Sequence, residues 1–319
     1  MAKLSLTYKT EILIVQLLTS DVLSKIKDEM VKPIKYIAEN REYPFQRVFN
    51  KPLGMIMNTE DVLHLSDLNL AEFIREMARW NAESEIFEQN DLVLTKGPDH
   101  SPVTNVAMYL SNVEGHFGAD VFDHIQSFYR ARKSGFSIHI RKHADAEIES
   151  ICHQEKMLLI SDSPGMLIDK PFFDKKMLKG IEVRNVTKVS SVVDFASVVI
   201  QSYQSLGMPT EIGEKIFASP ERLLRPYNYL VVAYDADHPV SAAMVTFSHS
   251  IAGIYWVGTV SSARCKGLAE ICVCAVTNEA FRRGAQFVVL QASKLGAPVY
   301  RRMGFSEFTR YPWYMYFTK

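Results

Sequence analysis

Sliding the chain against itself by 148 positions lays residues 102–168 on 250–316 without a gap. "VTNVAMYLS" then falls on "IAGIYWVGT", "GFSIHIRKH" falls close to "AQFVVLQAS", and "SPGMLI" falls on "YPWYMY" with Pro164 over Pro312. Identities are few. What constrains the fold is the order: both stretches read strand, helix, strand, helix, strand in one register, and self-similarity of that kind marks a duplicated unit. A chain of 319 residues has room for two ordinary domains, each with its own core. The break between them falls in "SDSPGMLIDKPFFDKKMLKG", where strand-like "GMLID" gives way to proline and charge and the pattern restarts with "IEVRNVTK". We therefore expect domains over 1–178 and 179–319.

In the second domain, apolar alternation predicts a strand over 181–186. Val189, Val192, Val193, Ala196, Val199, Ile200 and Tyr203 then recur at helical spacing over 188–206, and Gly207 and Pro209 end that helix. A short helix over 211–218 follows. "YLVVAYDADHPVSAAMVTFSHS" reads as two strands around a turn at 235–239, and "AGIYWVGTV" as a third. A helix opens at Gly267 and closes at Gly284, "QFVVLQAS" is a buried strand, "GAPVYRRMGF" a short helix closing at Gly304, and "YPWYMYF" a last aromatic strand. Strands and helices alternate, so the fold class is α/β (α+β) around mixed, mostly antiparallel sheets.

Thirty-six Lys plus Arg balance 36 Asp plus Glu. Zero net charge supplies no global field toward nucleic acid or anionic lipid, so any basic patch is local. The four cysteines (Cys152, Cys265, Cys272, Cys274) and nine histidines form no CxxC or HExxH pattern; we expect no metal site and a reduced, cytoplasmic setting. Cys272 and Cys274, two apart on a helix, are expected as small buried apolar residues. The run Ile12–Leu18 is broken by Gln16 and follows Glu11, so it reads as neither a signal peptide nor a membrane span.

The local patch is "RCKGLAEICVCAVTNEAFRRGA", residues 264–285. It sets Arg264, Lys266 and a glycine ahead of a helix whose first turn offers unpaired N–H groups and partial positive charge, the features an anion needs. Residues 261–302 carry seven cations against two anions. Arg282, Arg283, Arg301 and Arg302 are expected as solvated helix ends, and phosphate is the expected guest of the turn. The first copy differs here: His116 lies over Arg264, Ala119 over Gly267 and Cys152 over Tyr300.

Taken together, "VSSARCKGLA", "AFRRGAQFVVLQAS" and "APVYRRMGF" resemble the Gcn5-related N-acetyltransferase (GNAT) superfamily, whose loop pattern (Q/R)xxGx(G/A) is met by Arg264, Gly267 and Ala269. The resemblance covers 181–319 in element order and is specific over 260–305. It implies two tandem GNAT-like domains, the first degenerate, and an acetyl-CoA-dependent N-acyltransferase with direct attack by a primary amine. Contacts to acetyl-CoA (coenzyme A) are implied for Thr259, Val260, Arg264, Cys265, Lys266, Gly267, Leu268, Ala269 and Ser293. A splay between strand 252–260 and strand 287–293 is also implied, with the Val260 N–H holding the thioester oxygen and Tyr300 protonating the departing thiolate.

A base that takes the amine's proton is not assigned. The strand before the loop holds Tyr255 and Trp256 but no carboxylate, and His249, Glu211 and Glu214 are conceivable from elsewhere. Cys265 beside a phosphate turn is poorly placed for an acyl-enzyme. A catalytically silent acyl-CoA sensor, or aminoacyl or longer-acyl transfer, remains open. The acceptor is expected to be a small-molecule or peptide amine met by residues 206–228; nucleic-acid and membrane partners are not expected. The cluster Tyr311, Trp313, Tyr314, Tyr316 and Phe317 is expected to pack in an edge strand rather than stack bases.

Overall fold

In a computed structural model, the chain divides into the units Met1–Lys35 and Tyr36–Lys319. The structure describes residues 34–36, 58–89, 91–111, 118–173 and 178–317; the run Ile12–Leu18 lies outside them. After the short strand β1 (Ile34–Tyr36), the second unit carries β2 (Glu85–Gln89), β3 (Leu92–Lys96), β4 (Val106–Tyr109), β5 (Phe136–His139) and β6 (Leu158–Ile168). Helices α1 (Thr59–Arg79), α2 (Gly118–Arg130) and α3 (Ala146–Gln154) belong to the same half. The second half supplies β7 (Ile181–Asn185), α4 (Val189–Gln204), α5 (Thr210–Ile216), β8 (Asn228–Asp235), β9 (His238–Ser248) and β10 (Ile251–Thr259). It ends with α6 (Leu268–Arg282), β11 (Val288–Gln291), α7 (Ala297–Met303) and β12 (Ser306–Tyr316).

The eleven strands β2 to β12 lie in one sheet, in the order β2-β3-β4-β5-β12-β6-β11-β10-β9-β8-β7. Each half contributes one parallel pair, β4 with β5 and β10 with β11, and the other pairings are antiparallel. The last strand of each half is exchanged: β12 pairs with β5 of the first half, and β6 pairs with β11 of the second. The two exchanged strands then pair with each other. At the centre of that pairing Tyr311 faces Ser163, the very residues the 148-position slide superposes, flanked by Arg310 against Pro164 and Pro312 against Asp162. The two copies thus meet around a local two-fold.

Shifted by 148, β6 lands on 306–316, the full extent of β12. The gapless register does not hold throughout, however: β5 begins at Phe136 and β11 at Val288, a separation of 152, because the segment through α6 is longer by four residues. The expected edge position of the aromatic strand is also corrected. β12 lies between β5 and β6, where Tyr311, Tyr314 and Met315 are buried and Trp313 stacks on His139 at 5.5 Å between ring centroids.

The sheet is covered on both faces. Against one, α1, α4 and α5 bury Leu70, Phe73, Ile74, Phe195, Val199 and Phe217 with Tyr255 and Tyr311. Against the other, α6 and α7 bury Cys272, Val273, Val276 and Tyr300 with Ile254, Val288 and Leu290. α4 keeps the expected stripe at Val192, Ala196 and Val199, adds Phe195 and Val198, and leaves Val189 and Val193 exposed. α1 is capped by Asn58, whose side chain accepts from the Asp61 N–H at 2.7 Å, and it packs on strands of both halves. Among the described residues, no helix is long and apolar enough to cross a membrane.

Candidate active site

β10 and β11 pair only from Ala252 against Val288 to Ile254 against Leu290, and beyond that point they part. β10 carries a bulge there. Tyr255 faces Met244 and Gly258 faces Ala242, so two residues, Trp256 and Val257, oppose one, and Trp256 takes φ 49°. The bulge reverses the strand. Ala252 N–H donates to the Phe287 carbonyl on the β11 side (3.3 Å), yet Val260 N–H, an even number of residues later, donates to the Val240 carbonyl on the β9 side (3.0 Å). A regular strand alternates with period two and would turn both toward the gap. The expectation that Val260 offers its N–H to a thioester oxygen is therefore corrected. Past the bulge, the amide that turns away from β9 is that of Thr259, and Ser202 Oγ on α4 accepts from it at 3.1 Å. The helix comes this close because residue 258 is glycine: a Cβ there would lie 2.9 Å from Ser202 Cβ.

After β10 a single 3-10 turn, Ser261–Ala263, leads into the loop Arg264–Gly267, half-buried at Arg264 and exposed after it. Gly267 caps α6 at φ 77°, ψ 10°, a conformation that costs a Cβ-bearing residue about 1 kcal/mol or more, and no side chain caps the helix. Leu268 is buried with Val240 and Ala263 and anchors the loop. The N–H groups of Cys265, Lys266, Gly267, Leu268 and Ala269 donate to no described residue. Cys265, Lys266 and Gly267 are exposed. An N-terminus of this kind, on a helix of 15 residues, presents donors and positive potential outward.

Arg264 departs from its expected part. Its Nε donates to the Thr259 carbonyl at 3.1 Å, and its Nη2 to the Ser202 carbonyl at 3.1 Å and to Ser205 Oγ. The guanidinium is thus turned inward, tying the loop to the last turn of α4, where a cation complements the helix dipole. Of the other cations, Arg282 and Arg283 grip Glu279, Arg301 grips Glu307, and Arg302 stands 3.9 Å from Glu270. Lys266 in the turn and Lys294 after β11 are exposed and pair with no described residue, so of these cations Lys266 is the one available to a ligand at this turn.

Tyr300 on α7 is 9% exposed, its ring edge-on to Phe305 at 5.8 Å. Its hydroxyl has no hydrogen-bond partner among the described residues. Burial pushes the phenol above its ordinary value, and the nearby Tyr203 of α4 adds to the rise. Burial also pushes Tyr203 up to about 12. Both phenols are protonated at neutral pH, and Tyr203 lies edge-on to Trp256 at 5.0 Å. Ser293 Oγ accepts from the Gly296 N–H at 3.0 Å and fixes the turn into α7.

For the base, His249 is corrected. It sits in the β9–β10 hairpin, at the other end of β10 and ten residues before Thr259, which at about 3.3 Å per residue is roughly 30 Å along the strand. Glu211 and Glu214 are exposed on α5.

The first half shows what replaced this arrangement. Beyond the pairing of Met108 with His139, Arg141 bridges the two strand ends. Its Nη2 donates to the Ser111 carbonyl and to Asp145 Oδ1, both at 2.7 Å, and its Nη1 reaches Asp67 of α1 at 3.4 Å. Ser111 is the residue the 148-position slide lays on Thr259. A buried arginine held by two carboxylates thus stands between the strand ends of the first half. Cys152, in the place of Tyr300, is buried with its thiol pushed up to about 12 by burial and Glu149. Ala119 opens α2, and His116 lies outside the described residues. Sequence reasoning missed Arg141, the bulge and the Ser202 contact, because none has a spacing signature.

No protein-family model and no curated protein matches the chain. Among solved structures it is similar to a GCN5-related N-acetyltransferase from Kribbella flavida at a TM-score of 0.63 and 16% identity, over 80% of this chain and 95% of that one. It is similar to another from Sphaerobacter thermophilus at 0.53 and 18%, over 72% and 82%. A tandem GNAT protein from the clavulanic acid biosynthesis pathway matches at 0.52 and 11%, over 82% and 97%. At such identities the likeness is one of fold, and this chain has the tandem GCN5-related N-acetyltransferase fold, two such units joined through one sheet.

Proposed function

We propose that the protein is an acyltransferase whose second half, 179–319, binds acetyl-CoA and passes the acetyl group directly to a primary amine, the first half, 1–178, being a degenerate copy. The observation that carries this reading is the conjunction at one strand end: β10 and β11 part after Ile254 and Leu290, and the helix that follows keeps its first amides unspent on the protein. The residues fit coenzyme A. The pyrophosphate takes the N–H groups of Gly267, Leu268 and Ala269 with Lys266 beside them, and the pantetheine arm follows the freed edge of β10. The cofactor supplies an activated thioester. Tyr300, kept protonated by burial, donates to the sulfur as thiolate develops. The Ser293 hydroxyl, already an acceptor from Gly296, keeps its own hydrogen for the ligand.

Isothermal calorimetry with acetyl-CoA tests the reading. Heat of binding with a rise in melting temperature is expected; the absence of both overturns it. A catalytically silent acyl-CoA sensor is the second reading, favoured by one observation: the Thr259 and Val260 amides are both taken, and β10 brings no carboxylate to the gap. Thiol release from acetyl-CoA across a panel of small-molecule and peptide amines separates the two. A cytoplasmic setting, where acetyl-CoA is made and used, belongs to the same proposal.

A further inference from the structure

We propose that Ser202, with Arg264, is a positioning latch that keeps the Thr259 amide, the one facing the gap past the bulge, covered until the acyl donor arrives. The proposal rests on the acyl-CoA reading above and goes beyond it in naming a gate on that strand edge.

Both backbone groups of Thr259 are satisfied, one from the last turn of α4 and one from the loop that α4 holds. Its N–H is taken by Ser202 Oγ and its carbonyl by Arg264 Nε, each at 3.1 Å. Arg264 is in turn held by the Ser202 carbonyl and Ser205 Oγ, and Ser205 Oγ donates to the Ser202 carbonyl at 2.6 Å. On the other side of the strand, Ser241 Oγ serves the Gly258 carbonyl and Thr259 Oγ1, both at 2.8 Å. An extended, amide-bearing arm that pairs with a strand edge needs one N–H and one C=O from that edge. At Thr259 a serine hydroxyl and an arginine already occupy the two positions. The bulge at Trp256 makes Thr259, not Val260, the residue whose amide faces the gap. The cap is a single neutral hydroxyl, a hydrogen bond worth about 0.5–1.5 kcal/mol net, which the pairing of an amide-bearing arm along the freed edge of β10 exceeds. Displacing Ser202 Oγ loosens the last turn of α4 and with it the Ser205–Pro209 connection into α5.

The test uses the full-length protein with 15N-labelled threonine and valine. In Ser202→Ala without ligand, the Thr259 amide should exchange with solvent about two- to tenfold faster than in the wild type, the range one lost hydrogen bond spans. Acetyl-CoA should bind that variant tighter by a similar factor, since nothing is left to displace. In the wild type, acetyl-CoA should shift the Thr259 amide resonance and leave that of Val260 near its unliganded position. Arg264→Lys keeps the charge but cannot span the Thr259 and Ser202 carbonyls, so it too should speed Thr259 exchange; a Lys variant identical to wild type in exchange would make Arg264 no part of the latch. Wild-type binding with unchanged exchange and equal or weaker affinity in Ser202→Ala overturns the latch alone. No binding by the wild type overturns the acyl-CoA reading, and the latch with it.

Discussion

Tyr300 carries the heaviest chemical demand on a single side chain. Its phenol is buried, lacks a partner among the described residues and is pushed above its ordinary value, so it stays neutral and able to donate through the physiological range. Tyr300→Phe removes that proton while keeping the ring against Phe305. The turnover of an acceptor identified by thiol release should fall about a hundredfold, with acetyl-CoA affinity held within about twofold. The sign of the pH dependence follows from the raised value: the active form is the protonated one, so this group imposes no loss of activity until the pH passes above about 10. A wild-type alkaline limb below that pH which vanishes in Tyr300→Phe would contradict the assignment. Gly267 makes a separable demand. A Cβ added there meets nothing in the protein within 4 Å, so Gly267→Ala should destabilise only through its φ of 77°, by about 1 kcal/mol. A loss of acetyl-CoA affinity greater than tenfold, set beside that modest change in urea denaturation, would report a ligand lying against that face. Equal small losses in both would place the phosphates elsewhere.

Among the elements, the contact between α4 and the end of β10 decides the shape of the gap. A Cβ on residue 258 would press on Ser202 Cβ at 2.9 Å and lie 3.7 Å from the Val199 backbone. Gly258→Ala should therefore push the helix outward, costing about 1–3 kcal/mol in denaturant titration. An unchanged midpoint would mean that α4 does not rest there. The contact also shows what a sequence discloses about elements. The Val192, Ala196 and Val199 stripe placed α4 correctly, and the turn before α6 was legible from Gly267, because periodicity and φ preference are local properties. The direction of an amide past a bulge is not local in that sense. Trp256 at φ 49° is a residue whose type argues against that conformation, so counting from Ala252 turns Val260 toward the gap when Thr259 is the residue that faces it. Arg264 fits a loop motif equally well pointing outward or inward, and only the carbonyls that end α4 choose between the two.

For the molecule as a whole, the duplication was visible in the 148-position register, but the exchange of last strands was not, since chain order says nothing of which copy a terminal strand joins. The exchange makes the two halves interdependent. β12 pairs along one edge with β5 from Trp313 to Tyr316 and along the other with β6 over most of its length, while β6 keeps only four residues of pairing with β11. Deleting residues 311–319 would leave β5 paired with β4 alone and most of β6 without a partner. It would also remove Tyr311, Tyr314 and Met315 from the core, at about 1.5–3 kcal/mol for each large apolar side chain. Tyr311 further takes with it the hydrogen bond to the buried Asp67 on α1, at 2.7 Å. Losses of that size rival the whole stability of an ordinary domain, and two newly open strand edges favour association over refolding. The deleted protein should therefore be recovered in the insoluble fraction, whereas removing only 317–319 leaves every strand pairing among the described residues in place and should yield soluble protein. A soluble 1–310 fragment that unfolds cooperatively would show that the exchanged strands are not what joins the halves. The site on the second half would then have to be treated as independent of the first.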